Sequence, residues 1–160
     1  MRESVAPSVE QIASLVENVL HGNSIGKAIE LSDEQLEAIY SLGHLQYQQK
    51  KYEVACKTFR LFVLLNSMDR RGIKALGSSL QMLGQHKEAI EFLGMAVVMD
   101  PTDPSAAMQI GECLISQGEK KKALVLLERI SFDYGRYEKY IKYTEKATAL
   151  IRLLKEYENK

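Results

Sequence analysis

The sequence predicts an all-α fold: three tandem helix pairs in a right-handed superhelical stack, with an N-terminal helix and a C-terminal capping helix. Three observations carry this expectation. Helix formers are abundant and proline occurs only at Pro7, Pro101 and Pro104, so few positions interrupt a helix. No stretch reads as a strand. The chain also repeats itself, because Leu42-Gly43, Leu76-Gly77 and Ile110-Gly111 lie 34 residues apart, and a fixed period of this length marks stacked helical repeats.

Other positions keep the same register. Ala55, Ala89 and Ala123 recur, and each is followed four residues later by a large apolar residue, Phe59, Leu93 or Leu127. A third apolar site falls at Phe62, Ala96 and Ile130. The turns before the alanines correspond as QQKKYEVA, MLGQHKEA and SQGEKKKA. This pattern resembles the tetratricopeptide repeat, two antiparallel helices per repeat. The small Gly and Ala positions let the paired helices approach, and the larger apolar sites fill the space around that contact.

The elements follow in order. An N-terminal helical region spans 8–35. Its helix runs from about Ser8 to Leu20, with Val9, Ile12, Val16 and Val19 on one face. Ser8 and Gln11 have capping-box spacing, and Gly22 is a stop signal. Ser32 and Gln35 form a second capping-box signal, opening the first repeat. The repeats occupy 36–69, 70–103 and 104–137. Asp100-Pro101 closes the second, and Asp103-Pro104 opens the third, with Asp as N-cap and Pro at the first helical position. A last helix over 138–158 carries Ile141, Ala149, Leu150, Leu153 and Leu154, and its charged outer positions cap the stack. The whole chain, 1–160, reads as one domain.

Composition excludes several function classes. Acidic and basic residues balance at 21 each, so no basic excess points to nucleic acid or an anionic membrane. No run approaches the roughly 18 apolar residues of a membrane span. MRESVAPSVEQ lacks a basic-then-apolar secretory signal, so the chain is expected to stay in the compartment where it is made. Cys56 and Cys113 are too few and too far apart for a zinc site or a disulfide framework, and read as buried thiols. His21, His44 and His86 belong to no metal or catalytic motif. The reading is a protein that is not an enzyme, without cofactor or metal. Lys120-Lys121-Lys122 follows Glu119 and reads as a solvated face.

Stacked helical repeats offer a concave surface suited to an extended peptide. The first helix of each pair faces it. One helical stripe holds Tyr40, His44, Tyr47 and Gln48, and its equivalents are Lys74, Ser78, Gln81 and Met82, then Met108, Glu112, Ile115 and Ser116. This mixed lining of tyrosines, methionines and polar groups suits a moderately apolar extended segment. The residues leave open whether Tyr47 and Met82 line the groove or pack between repeats. The carboxylate clamp of chaperone-associated adaptors is absent: its Lys, Asn and Arg places hold Tyr40, His44, Ala75, Ser105 and Gln109. On the second helix, RLFVLLNS is apolar beyond what one neighbour can cover. Leu61 and Leu65 are therefore expected at a homodimer contact, with coverage by the chain's own N-terminal helix as the alternative.

LEAIYSLGHLQYQQKKYEVACKTF (36–59), LLNSMDRR and GECLISQGE resemble the class II chaperones of type III secretion. The matching positions are Tyr40-Ser41-Leu42, Tyr47-Gln48, Lys51-Tyr52, Asp69, Arg71, Gln81 and Glu112-Cys113-Leu114, and the resemblance covers about residues 10–130. It implies a bacterial, cytoplasmic chaperone that keeps apolar translocator proteins soluble before export. It further implies an extended Pro-x-Leu-x-x-Pro-like client segment in the groove, a homodimer, and for some members coactivation of an AraC-type regulator. His44 departs from the family, which often has an aromatic residue there. The competing reading from another class is an adaptor in a cell-envelope or pilus assembly. A needle-subunit co-chaperone is a third.

Overall fold

The computed structural model describes Ser14, Glu17, His21, residues 25–29 and residues 31–156. Val9, Ile12, Val16 and Val19, the apolar face of the expected N-terminal helix, lie outside the described residues, as do Ser8, Gln11 and Gly22. Eight α-helices are described: α1 (Ile25–Ala28), α2 (Asp33–Gln48), α3 (Tyr52–Leu65), α4 (Arg70–Met82), α5 (His86–Met99), α6 (Pro104–Ser116), α7 (Lys120–Tyr134) and α8 (Ile141–Glu156). No strand occurs among the described residues. Nor is any described helix long and apolar enough to cross a membrane. The last helix was expected from residue 138. Instead a short 3-10 turn over Glu138–Tyr140 precedes α8.

Local chemistry sets the helix starts. Ser32 and Gln35 complete a capping box: Gln35 N donates to Ser32 Oγ at 3.2 Å, and Ser32 N donates to Gln35 Oε1 at 2.9 Å. Asp69 caps α4, accepting from Arg71 N at 2.8 Å. One repeat later Asp103 caps α6, accepting from Ser105 N at 2.9 Å, with Pro104 at the first helical position.

Each turn inside a pair closes in one way. Lys51 N donates to Gln46 O at 3.0 Å and Lys50 N to Tyr47 O at 2.9 Å. Gln85 and Gly84, and then Glu119 and Gly118, repeat these bonds. This is the Schellman motif, which needs a left-handed residue after the helix. Gly84 and Gly118 supply it with φ of 73° and 76°, and Lys50 adopts it with φ of 60°.

The repeat positions are the core. Ala55, Ala89 and Ala123 are fully buried, as are Phe59, Leu93 and Leu127, and Phe62, Ala96 and Ile130. Each first-helix glycine faces the large second-helix residue. A β-carbon on Gly43 would lie 2.7 Å from Phe59 Cε1, and one on Gly111 would lie 3.1 Å from Leu127 Cδ2. Leu76 is buried, whereas Leu42 is 49% exposed.

The two leucines expected at a dimer contact separate. Leu65 is only 8% exposed and packs with Leu36 and Phe62, against Ile25 and Leu31. It is a core residue of its own chain, because the short α1 and the segment after it fold back over the end of α3. Leu61 points away from that cluster and stays 47% exposed.

Candidate functional site

The first helices of successive pairs touch in series, α2 with α4, α4 with α6 and α6 with α8. Together they form one continuous face. Two seams on this face differ sharply. Across the α4–α6 seam, residues 31 apart meet. Lys74 Nζ reaches Ser105 Oγ, Ser78 Oγ donates to Gln109 Oε1 at 3.1 Å, and Gln81 Nε2 donates to Glu112 Oε2 at 2.8 Å. Lys146 on α8 then pairs with the other oxygen of Glu112. This seam is closed by polar contacts from end to end.

The same offset across the α2–α4 seam sets Tyr40 against Arg71, His44 against Ala75 and Tyr47 against Ser78. Arg71 closes the first position, its Cζ lying 4.7 Å from the Tyr40 ring centroid. Ala75 is too short to reach His44, and a cleft of about 340 Å³ opens there. Tyr40, His44 and Tyr47 form one wall; Lys74, Ala75 and Ser78 form the other, with Arg70, Arg71 and Gln109 at the rim. Phe59 lies at the bottom.

The wall is held from behind. The Tyr40 ring packs 5.9 Å from Phe59 and 5.4 Å from Phe62, between centroids, and Tyr47 stands edge-on to Tyr52 at 5.2 Å. The tyrosines thus pack between helices and line the cleft at once. Burial raises both phenol pKa values above their ordinary range, so both hydroxyls stay neutral.

The rim is charged but compensated. Arg71 sits between Asp69 at 2.8 Å and Glu37 at 3.0 Å. Arg70 pairs with Asp103 at 3.0 Å and Asp100 at 3.3 Å, and Lys74 pairs with Asp103 at 3.1 Å. Burial alone would raise the Asp103 pKa. Hydrogen bonds from Ser105, Arg70 and Lys74 outweigh it and hold the carboxyl well below the usual range. Asp69 is lowered in the same way by Arg71. The three cations are answered by four carboxylates, so the cleft mouth carries no excess positive charge.

Five of the groove residues expected from sequence meet at this cleft: Tyr40, His44, Tyr47, Lys74 and Ser78. Gln81 and Glu112 are joined in the neighbouring seam. Gln48 lines a shallower hollow on α2 with Ser41 and Leu45, and Met82 is exposed beyond the cleft. Met108 does not line the groove. It is 2% exposed and belongs to the core formed with Ala107, Ala123, Leu127 and Ala147, because α8 packs onto α6 as a further inner helix. Sequence reasoning missed Arg70 as a rim residue and Phe59 as the floor. Arg71 was named only among the positions that carry the family resemblance; its place opposite Tyr40, 31 residues on, is an offset that the 34-residue repeat hides.

Nothing here has the geometry of a nucleophile beside a base. Cys113 is buried, and that burial pushes its pKa up to about 11, the condition of an unreactive thiol. No group of three or more His, Cys, Asp or Glu that could hold a metal occurs among the described residues. The arrangement can hold an apolar side chain and can present polar groups to a peptide main chain.

Known proteins match this architecture. Tetratricopeptide-repeat family models match residues 36–68 and 80–141. The low calcium response locus protein H of Yersinia pestis is 32% identical over 141 residues, covering 86% of this chain and 84% of its own. The Yersinia enterocolitica type III secretion chaperone SycD, solved with a peptide of the translocator YopD, superposes with a TM-score of 0.74 at 29% identity, covering 81% of this chain and 98% of SycD. PcrH with the chaperone-binding region of PopD gives a TM-score of 0.75 at 25% identity, covering 81% and 97%. The chain belongs to the family of the low calcium response locus protein H, the tetratricopeptide-repeat chaperones of type III secretion translocators.

Proposed function

We propose that this chain is a cytoplasmic chaperone that holds an extended, apolar segment of a type III secretion translocator in the α2–α4 cleft. The single observation that carries this reading is the contrast between the seams. The α4–α6 seam is closed by hydrogen bonds, whereas the α2–α4 seam opens where His44 meets Ala75, and the opening has an aromatic wall and floor. Its relatives SycD and PcrH are known in complex with translocator segments.

The physics suits the task. A protein that later enters a bilayer exposes apolar surface in water and aggregates unless that surface is masked. One side chain seated in an aromatic cleft can anchor the segment, since few contacts dominate most interfaces. The neighbouring Ser78 and Gln109 are placed to bond the main chain of an extended peptide. Release needs no chemistry, only competition.

Co-expression with candidate translocators, followed by affinity purification and mass spectrometry, tests the reading. One soluble partner with membrane-spanning segments is the expected result. Recovery of a large cell-envelope complex instead would favour the adaptor reading, and no translocator in the eluate would overturn the chaperone reading.

A further inference from the structure

We propose that Gln109 determines where the apolar part of a bound segment must end, and so selects clients that place a small or polar residue over the α4–α6 seam. This rests on the reading of the α2–α4 cleft as the client site.

The argument starts from the equivalence of the two seams. His44–Ala75 in the first corresponds to Ser78–Gln109 in the second, one repeat on. Where alanine leaves a gap, glutamine reaches across and its Oε1 accepts from Ser78 Oγ at 3.1 Å. Beneath the first gap lies Phe59. Beneath the second pair lies Leu93, which is buried and does not line the cleft. Gln109 is also braced along the seam. Lys74 is tied to Asp103 at 3.1 Å on one side, and Gln81 to Glu112 at 2.8 Å on the other.

A large apolar side chain over this seam finds no space to enter. It could make room only by parting Ser78 from Gln109; Ser78 Oγ keeps its bond to Lys74 O at 2.9 Å, but Gln109 Oε1 loses its partner across the seam. Packed helices lie about 8–10 Å apart and an extended chain rises about 3.3 Å per residue. A segment crossing the inner face therefore passes from one seam to the next in about three residues. A leucine anchored beside Ala75 dictates a small or polar residue about three positions away.

The test uses labelled synthetic Ser/Gly peptides with a Pro-x-Leu core, titrated by fluorescence anisotropy. One peptide has the single leucine. Two others carry a second leucine three residues before or after it. Wild-type protein should gain nothing from the second leucine. Gln109→Ala, measured against its own affinity for the single-leucine peptide, should gain at least about fivefold from the second leucine in one of the two positions. Gln109→Ser, which also shortens the side chain, should behave likewise, with circular dichroism confirming both folds. A second leucine that helps wild type as much as the variants would overturn the inference, as would variants that gain nothing. If no peptide binds wild type at all, the cleft reading itself has failed and takes this inference with it.

Discussion

Gly77 and Leu93 pack so closely that a β-carbon on Gly77 would lie 2.7 Å from Leu93 Cγ and 3.2 Å from its backbone nitrogen. The backbone cannot step aside cheaply. Glycine inside a helix costs roughly 0.5–1 kcal/mol relative to alanine, but overpacking costs about 1–3 kcal/mol. Gly77→Ala should therefore lower stability in urea unfolding. At Gly111 the nearest atom is the side-chain end Leu127 Cδ2 at 3.1 Å, so there the two effects nearly cancel. A Gly77→Ala protein as stable as wild type would refute this packing.

Lys50 occupies, with φ of 60°, the turn position held by Gly84 and Gly118 in the next two pairs. A left-handed backbone costs a residue with a β-carbon about 1–2 kcal/mol. Lys50→Gly should stabilise the protein by about 0.5–1 kcal/mol. Gly84→Ala should destabilise it through the backbone alone, since a β-carbon there meets nothing within 4 Å. Thermal melts that rank these variants the other way would contradict the turn geometry.

Asp103 joins Arg70, Lys74 and the start of α6. Its folded pKa is depressed, so below the ordinary carboxylate value of about 3.9 the unfolded chain binds the proton more readily. Its charge thus stabilises the fold above about pH 4, and that stability fades as the pH falls further. Asp103→Asn keeps the cap and removes the charge. The gap in urea midpoint between wild type and Asp103→Asn should be largest near neutrality and shrink toward pH 3. A gap that widens on acidification would be the opposite result.

Leu61 and Leu64 remain 47% and 57% exposed on the outer side of α3. We expect this strip to form the self-association contact, now without Leu65. Leu61→Glu combined with Leu64→Glu should halve the mass measured by light scattering while leaving helicity intact. An unchanged mass would remove this surface from consideration.

Most of the stack was legible in the sequence because helix pairing depends on short-range spacing. Gly43, Gly77 and Gly111 mark the close approaches, and Ser32 and Asp103 mark two helix starts by capping chemistry alone. Tyr40, His44 and Tyr47 were legible as one helical stripe. The same stripe misled at Met108, because α8 covers α6, and no repeat counts a fourth inner helix. Leu65 misled because its cover, Ile25 and Leu31, comes from a stretch with weak periodicity. The partners across a seam were hidden for a different reason. They are 31 residues apart, three fewer than the period. That difference arises from how the repeats are displaced in space, which spacing along one helix does not reveal.

The central claim is that the gap beside Ala75 is where a client side chain enters. Ala75→Leu fills that gap with a good helix former and leaves Tyr40, His44 and Tyr47 in place. Titration of a fluorescent Pro-x-Leu-x-x-Pro peptide from a co-purifying translocator should show Ala75→Leu binding at least about 30-fold more weakly than wild type, a hot-spot loss of about 2 kcal/mol. Lys121→Ala, on the exposed face of α7, should bind normally. Equal affinity in wild type and a properly folded Ala75→Leu would place the client elsewhere and contradict the account.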